Sequence, residues 1–90
     1  MEELFVARRR VLDGAGQAHT YGYAVQIGVR ETAAGRPYES YGPVIWEEGG
    51  EVRTAPDVTA DIGCIDELME RLVCGRVSPQ SLEEVLADWR

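Results

Sequence analysis

The chain has no lysine; all nine of its basic residues are arginine, which reads as coding bias rather than as chemistry. It also has a single histidine, His19, and two cysteines, Cys64 and Cys74. That inventory assembles no zinc quartet, since Cys-x-x-Cys spacing is missing and the two cysteines fall about 80° apart around the helix predicted to carry them. They lie about 15 Å apart along its axis, whereas a disulfide needs Cα atoms within about 7 Å. Free thiols are expected, and they fit a reducing compartment. No apolar run approaches the roughly 20 residues that cross a bilayer. The start, Met-Glu-Glu-Leu-Phe-Val, lacks the basic-then-apolar order of a secretory signal. The expected location is the cytoplasm, with no membrane partner.

Nucleotide chemistry is equally thin. Asp13-Gly14-Ala15-Gly16 has no Lys-Ser/Thr behind it, and Glu47-Glu48-Gly49-Gly50-Glu51 sets carboxylates where phosphates would sit. Glu47, Glu48 and Glu51 have the charge to attract a divalent cation but no EF-hand spacing, and a charged hairpin tip is the commoner meaning. A Cys–His dyad using His19 is compatible with the spacing, and nothing favours it. No catalytic set, metal site or cofactor is expected, and the chain is not predicted to be an enzyme.

What is present describes a folded domain. Hydrophobic residues make up 44% of the 90 positions and charged residues 28%, an ordinary globular balance. A chain of this size buries about 60–65% of its unfolded surface and supports one modest core. The net charge of −7 arises entirely from residues 46–90, because the first half carries equal numbers of acids and arginines. An acidic second half repels phosphate backbones.

Leu4 to Leu12 begins as a solid apolar run and meets a strong turn signal at residues 13–16, which predicts a strand entering a hairpin. Tyr21, Tyr23, Val25, Ile27 and Val29 then recur at every second position. The intervening face (Gly22, Ala24, Gly28) is small enough to admit a ring, a backbone or a ligand. Residues 31–37 read as a flexible loop. Extended character resumes over 38–46, where Gly42-Pro43 predicts an edge or a bulge. Residues 48–51 form a reversal and 52–55 a short returning strand.

From Asp57 the period becomes 3.6. Ile62, Ile65, Leu68, Met69, Leu72 and Val73 form one stripe, capped by Asp61 or Thr59 and stopped by a left-handed Gly75. Ser78 and Pro79 open a second helix bearing Leu82, Val85, Leu86 and Trp89. The predicted fold is α+β within one domain, residues 1–90. A three- or four-stranded antiparallel meander (3–55) is followed by a two-helix hairpin (61–74 and 79–90) packed on one face.

The turn over residues 75–78 resembles a helix-turn-helix, but the second helix offers Glu83, Glu84 and Asp88 where a DNA reader needs basic or amide side chains. It is expected to be a lid on the sheet, and nucleic acid is not an expected partner. Arg8-Arg9-Arg10 is the one basic cluster; in a strand Arg8 and Arg10 share a face and Arg9 takes the other. Pairing with the acidic helices is its bland meaning, and an acidic partner surface its functional one. Tyr21, Tyr23, Tyr38, Tyr41, Trp46 and Trp89 are many rings for so small a domain. Core packing is their ordinary use and an interface the alternative. Arg8, Arg10, Tyr21, Tyr23, Tyr41 and Trp46 are therefore the candidate interaction residues, for a homodimer or an unidentified protein partner. A small-molecule or metal-binding regulatory role at the glycine-bearing face is the alternative.

The C-terminal third is similar to the ending of a family of short bacterial proteins classed as a domain of unknown function. The likeness rests on an early Thr20-Tyr21-Gly22-Tyr23 strand, an Asp-rich helix entry, and Val77-Ser78-Pro79, Leu82, Val85 and Asp88. Where the family pattern often carries a histidine, this chain has Ser81. The resemblance implies a small cytoplasmic bacterial protein and supplies no reaction.

Overall fold

Four strands hydrogen-bonded in chain order β1-β2-β3-β4 form one antiparallel sheet, and two helices follow it; the computed structural model describes residues 2–89. The elements are β1 (Glu2–Leu12), β2 (Ala18–Glu31), β3 (Pro37–Glu47), β4 (Val52–Thr54), α1 (Ile62–Cys74) and α2 (Leu82–Trp89), with a 3-10 turn at Pro79–Ser81 leading into α2. The α+β class, strands first and helices second, is as the periodicities predict.

Two hairpins close the same way. The Asp13 and Thr32 amides each donate to the carbonyl of the residue four positions on, whose own amide returns to the Asp13 or Thr32 side chain, and glycines at positive φ, Gly16 and Gly35, complete the turns. Only glycine enters that region without a Cβ clash. The segment predicted as a flexible loop over 31–37 is thus a tight connection over residues 32–36, with Thr32 Oγ1 accepting from the Arg36 amide at 3.2 Å.

β3 also departs from expectation, since it runs unbroken through Gly42-Pro43. Pro43 lies opposite Val25 of β2, and its carbonyl faces the other side, accepting from the Ala55 amide at 3.1 Å. The missing N–H therefore points away from β2, beyond the end of the β3–β4 ladder, which begins at Val44 opposite Thr54. Gly42 matters for a separate reason: the chain leaving β4 crosses it so closely that a Cβ there would sit 1.9 Å from the Ala55 carbonyl oxygen.

The odd-numbered residues of β2 and β3, Tyr21, Tyr23, Val25, Tyr41 and Ile45, carry the buried face. Ile65, Leu68, Met69, Leu72 and Val73 of α1 and Leu82 and Leu86 of α2 close over it. Tyr23, Ile45, Leu68 and Leu72 lose all contact with water. Trp89 packs at the edge of this cluster. The Tyr23 hydroxyl donates to the Val77 carbonyl at 2.8 Å, which fixes the connection between the helices onto the middle of the sheet.

The helix termini refine the sequence reading. Asp61 caps α1, accepting from the Cys64 amide at 2.9 Å, while Thr59 Oγ1 accepts from the Asp61 amide. The left-handed stop falls not at Gly75, where φ is −80°, but at Arg76, where φ is 48°. The bonds Arg76 N–H to Val73 O and Val77 N–H to Leu72 O form the usual pair of a helix end whose left-handed residue is Arg76. Ser78 occupies the expected cap position without a capping bond. The tight 3-10 turn sends the Ser81 amide to the Ser78 carbonyl instead, and the Ser78 hydroxyl donates to Ser81 Oγ.

Candidate functional site: the free edge of β1

Among the described residues β1 has a sheet neighbour on one side only. Its outer row of backbone N–H and C=O groups is left facing outward, a template for another strand. The opposite edge is managed differently. β4 spans only Val52–Thr54, and β3 beyond it is covered by an isolated bridge from Thr59 to Tyr41. The charged pair Glu51–Arg53 and a bond from Gln80 to Glu51 flank that short strand.

The β1 edge is long and apolar at its centre. Leu4, Phe5 and Val6 are 55, 58 and 43% exposed. Monomeric proteins usually blunt such an edge with charge, proline or brevity. Here charge appears only at the ends: Glu2 and Glu3 precede the apolar segment, and Arg8, Arg9 and Arg10 follow it.

A bulge interrupts the β1–β2 register between Phe5 and Ala7. Phe5 lies opposite Ala24, then Ala7 opposite Tyr23, so Val6 is the extra residue. It changes which side chains share a face. Glu2 and Leu4 lie opposite Ile27 and Val25 and so face the helices, as do Ala7, Arg9 and Val11 beyond the bulge. Glu3, Phe5, Arg8 and Arg10 take the helix-free face.

Both faces beside β1 have structure. On the helix side an open groove of about 450 Å³ runs between β1 and α1, floored by Ala7, Val25, Met69 and Val73, with Arg9 and Glu70 on its rim. On the helix-free side the Trp46 indole lies over Gly22, where a Cβ would meet the ring at 2.1 Å. Phe5 contacts Trp46 with ring centroids 6.3 Å apart, and the Arg8 guanidinium lies 5.2 Å from the Phe5 ring centroid while pairing with Glu48 at 3.0 Å. The small face predicted on β2 admits a ring at Gly22, the Trp46 indole, while a Cβ at Gly28 would meet nothing within 4 Å.

The six candidate interaction residues separate into two groups. Tyr21, Tyr23 and Tyr41 are buried beneath the helices. Burial pushes the Tyr23 phenol up to about 12, with the nearby Tyr21 adding a smaller upward contribution. Arg8, Arg10 and Trp46 lie on the opposite face beside the β1 edge. Leu4, Phe5 and Val6 lie outside that group because an apolar strand run ordinarily means a buried strand. Their position at the sheet edge is a property of topology.

His19 is held on both ring nitrogens, with Nε2 at 2.9 Å from Asp13 and Nδ1 at 2.8 Å from Glu47. The Asp13 bond, followed by the Glu47 bond, holds the imidazolium above its ordinary range, and the same contact holds the Asp13 carboxyl below its own. Cys64 and Cys74 are free and exposed. Among the described residues no group of three His, Cys, Asp or Glu side chains gathers to hold a metal ion, and no helix is long and apolar enough to cross a membrane.

A second recess of about 480 Å³ lies at the far end of the β2–β3 hairpin, among Gly28, Arg30, Ser40 and Asp57. Arg30 pairs with Asp57 at 3.2 Å, and the buried Ser40 hydroxyl donates to the same carboxylate. The chain matches no family model, no curated protein and no solved structure.

Proposed function

We propose that this protein is a cytoplasmic protein-interaction module that performs no chemistry of its own and binds through the free edge of β1. The observation that carries this reading is the exposed Leu4-Phe5-Val6 segment on an edge strand whose backbone has no outer partner. An added strand gains main-chain hydrogen bonds there, and the flanking apolar side chains and groove supply selectivity. Exposure of Glu83 and Glu84 on α2 supports a reading without nucleic acid. The test is affinity capture from a bacterial lysate with the wild-type chain and with Val6→Lys, a charge placed on the edge itself. A partner retained by the first and lost by the second is expected; identical captures by the two would reject the β1 edge.

The recess beside Arg30 and Asp57 supports a second reading, a regulatory domain for a small polar ligand. A thermal-shift screen against metabolites and divalent metals tests it. A ligand at 100 times its dissociation constant adds about 2.7 kcal/mol, and a flat response across the library would remove this alternative.

A further inference from the structure

We propose that the β1 edge pairs with the β1 edge of a second copy, antiparallel about a two-fold axis, with Glu2 opposite the second copy's Arg9 and Glu3 opposite its Arg8. This rests on the reading of β1 as the interaction edge and names its occupant. Three observations on that strand point to the same register.

The first is charge. Antiparallel pairing brings the beginning of one strand against the end of the other. β1 begins with two carboxylates and carries three guanidinium groups at Arg8, Arg9 and Arg10 ahead of its last residues, Val11 and Leu12, the two charged groups separated by Leu4-Phe5-Val6-Ala7. Self-pairing therefore meets opposite charge at both ends and apolar side chains in the middle. A parallel pairing would set acid beside acid and base beside base, which destabilises directly opposed residues.

The second is availability. Among the described residues Glu2 and Glu3 have no basic partner, and Arg9 and Arg10 have no acidic one. Arg8 has Glu48, in a pair exposed on both sides, and such a pair contributes at most about 1 kcal/mol.

The third is the bulge. Residues opposite one another in a sheet must point to the same face. In an uninterrupted strand Glu2 and Arg9 would point to opposite faces, as would Glu3 and Arg8, because side chains alternate with period two. The extra residue at Val6 moves the second half of β1 by one step. Glu2, Leu4, Ala7 and Arg9 then all face the helices, and Glu3 and Arg8 both face away from them. The pairs Glu2–Arg9, Glu3–Arg8 and Leu4–Ala7 consequently match by face and obey one two-fold axis, beside the bulge. A register one pair further along, with Glu3 opposite Arg10, leaves Glu2 facing Val11 and brings Leu4 and Phe5 against Arg9 and Arg8. Charge and face together select the first.

Sedimentation equilibrium of the full chain tests this. The wild type is expected to move from the 10.0 kDa monomer to twice that mass in the micromolar range. Glu2→Arg with Glu3→Arg makes the four charged residues of the paired segment all basic, and Arg8→Glu with Arg9→Glu makes them all acidic, Arg10 lying outside these pairs. Each variant alone should raise the dissociation constant about tenfold or more, as like charges replace opposite ones. An equimolar mixture of the two should restore the dimer, because each edge then meets its complement. If the doubly acidic variant fails to fold on losing the Arg8–Glu48 pair, Glu3→Arg alone, compared with the wild type, reads the same contact. A wild type that stays monomeric overturns self-pairing, and a dimer unchanged in both charge-reversed variants overturns the β1 register. Lysate capture that remains sensitive to Val6→Lys while the chain is monomeric leaves the interaction reading standing and moves the occupant to another protein.

Discussion

Two glycines in this sheet face close neighbours of different kinds. At Gly22 the neighbour is the end of the Trp46 side chain, which turns about its own bonds; at Gly42 it is the Ala55 carbonyl, which moves only with the backbone. Gly42→Ala is therefore expected to destabilise more than Gly22→Ala, about 3 kcal/mol or more against about 1–2. Denaturant midpoints would rank them, and tryptophan fluorescence should shift for Gly22→Ala as the indole leaves its seat. Arg76 presents the reverse case, a side chain held at φ 48°, a conformation unfavourable for any residue with a Cβ. Arg76→Gly should stabilise by about 0.5–1 kcal/mol, glycine's own entropy offsetting part of the relief. A thermal midpoint equal to or below the wild type would contradict this account of the helix end. The sequence pattern points to Gly75, one position early, because glycine is the usual occupant of the left-handed site. Which of two adjacent residues takes it depends on where the α1 carbonyls find their last donors.

At the scale of elements, β2 and both helices were legible because each buries one face and so writes its period into the sequence. Their ends were less so: β1 extends two residues and β2 three residues upstream of the apolar pattern, where pairing continues with no residue fully buried. The bulge at Val6 left no signal, since Phe5, Val6 and Ala7 are all apolar and neither glycine nor proline marks the step. Nor could residue type separate Tyr21, Tyr23 and Tyr41, which lie beneath the helices, from Trp46 on the other face, because cores and interfaces draw on the same rings. Glycine at position 22 did announce a close approach, and the indole supplies it. The helix pair is fixed to the strands by packing, by a bond from the Tyr23 hydroxyl to the Val77 carbonyl and by one from Gln80 to Glu51 beside β4. Tyr23→Phe keeps the ring and leaves that carbonyl without this donor, an expected loss of about 1–3 kcal/mol. Hydrogen exchange should then accelerate in residues 75–82 ahead of the sheet; uniform acceleration would mean the bond has no local role.

For the whole molecule, His19 links the first hairpin turn to the end of β3 through Asp13 and Glu47, so pH acts on how the sheet is held at that end. The folded-state pKa of His19 is raised, and its contribution is fully present below the ordinary value of 6.5 and fades as pH climbs through the raised one. Asp13 and Glu51 are lowered, so theirs is present above the ordinary carboxylate values and fades as pH falls through the depressed ones. Stability should therefore be greatest between these limits and decline on the alkaline side. Urea midpoints between about pH 5 and 9 should show the decline for the wild type and a flatter profile for His19→Gln. Equal slopes would assign the decline elsewhere.

The molecule measures 53 × 25 × 17 Å, and its radius of gyration of 14.1 Å exceeds the roughly 12 Å of a compact 90-residue chain. A body so long and thin tumbles slowly for its weight and leaves a gel-filtration column early. An apparent size above one chain on such a column is therefore what even a lone copy would give.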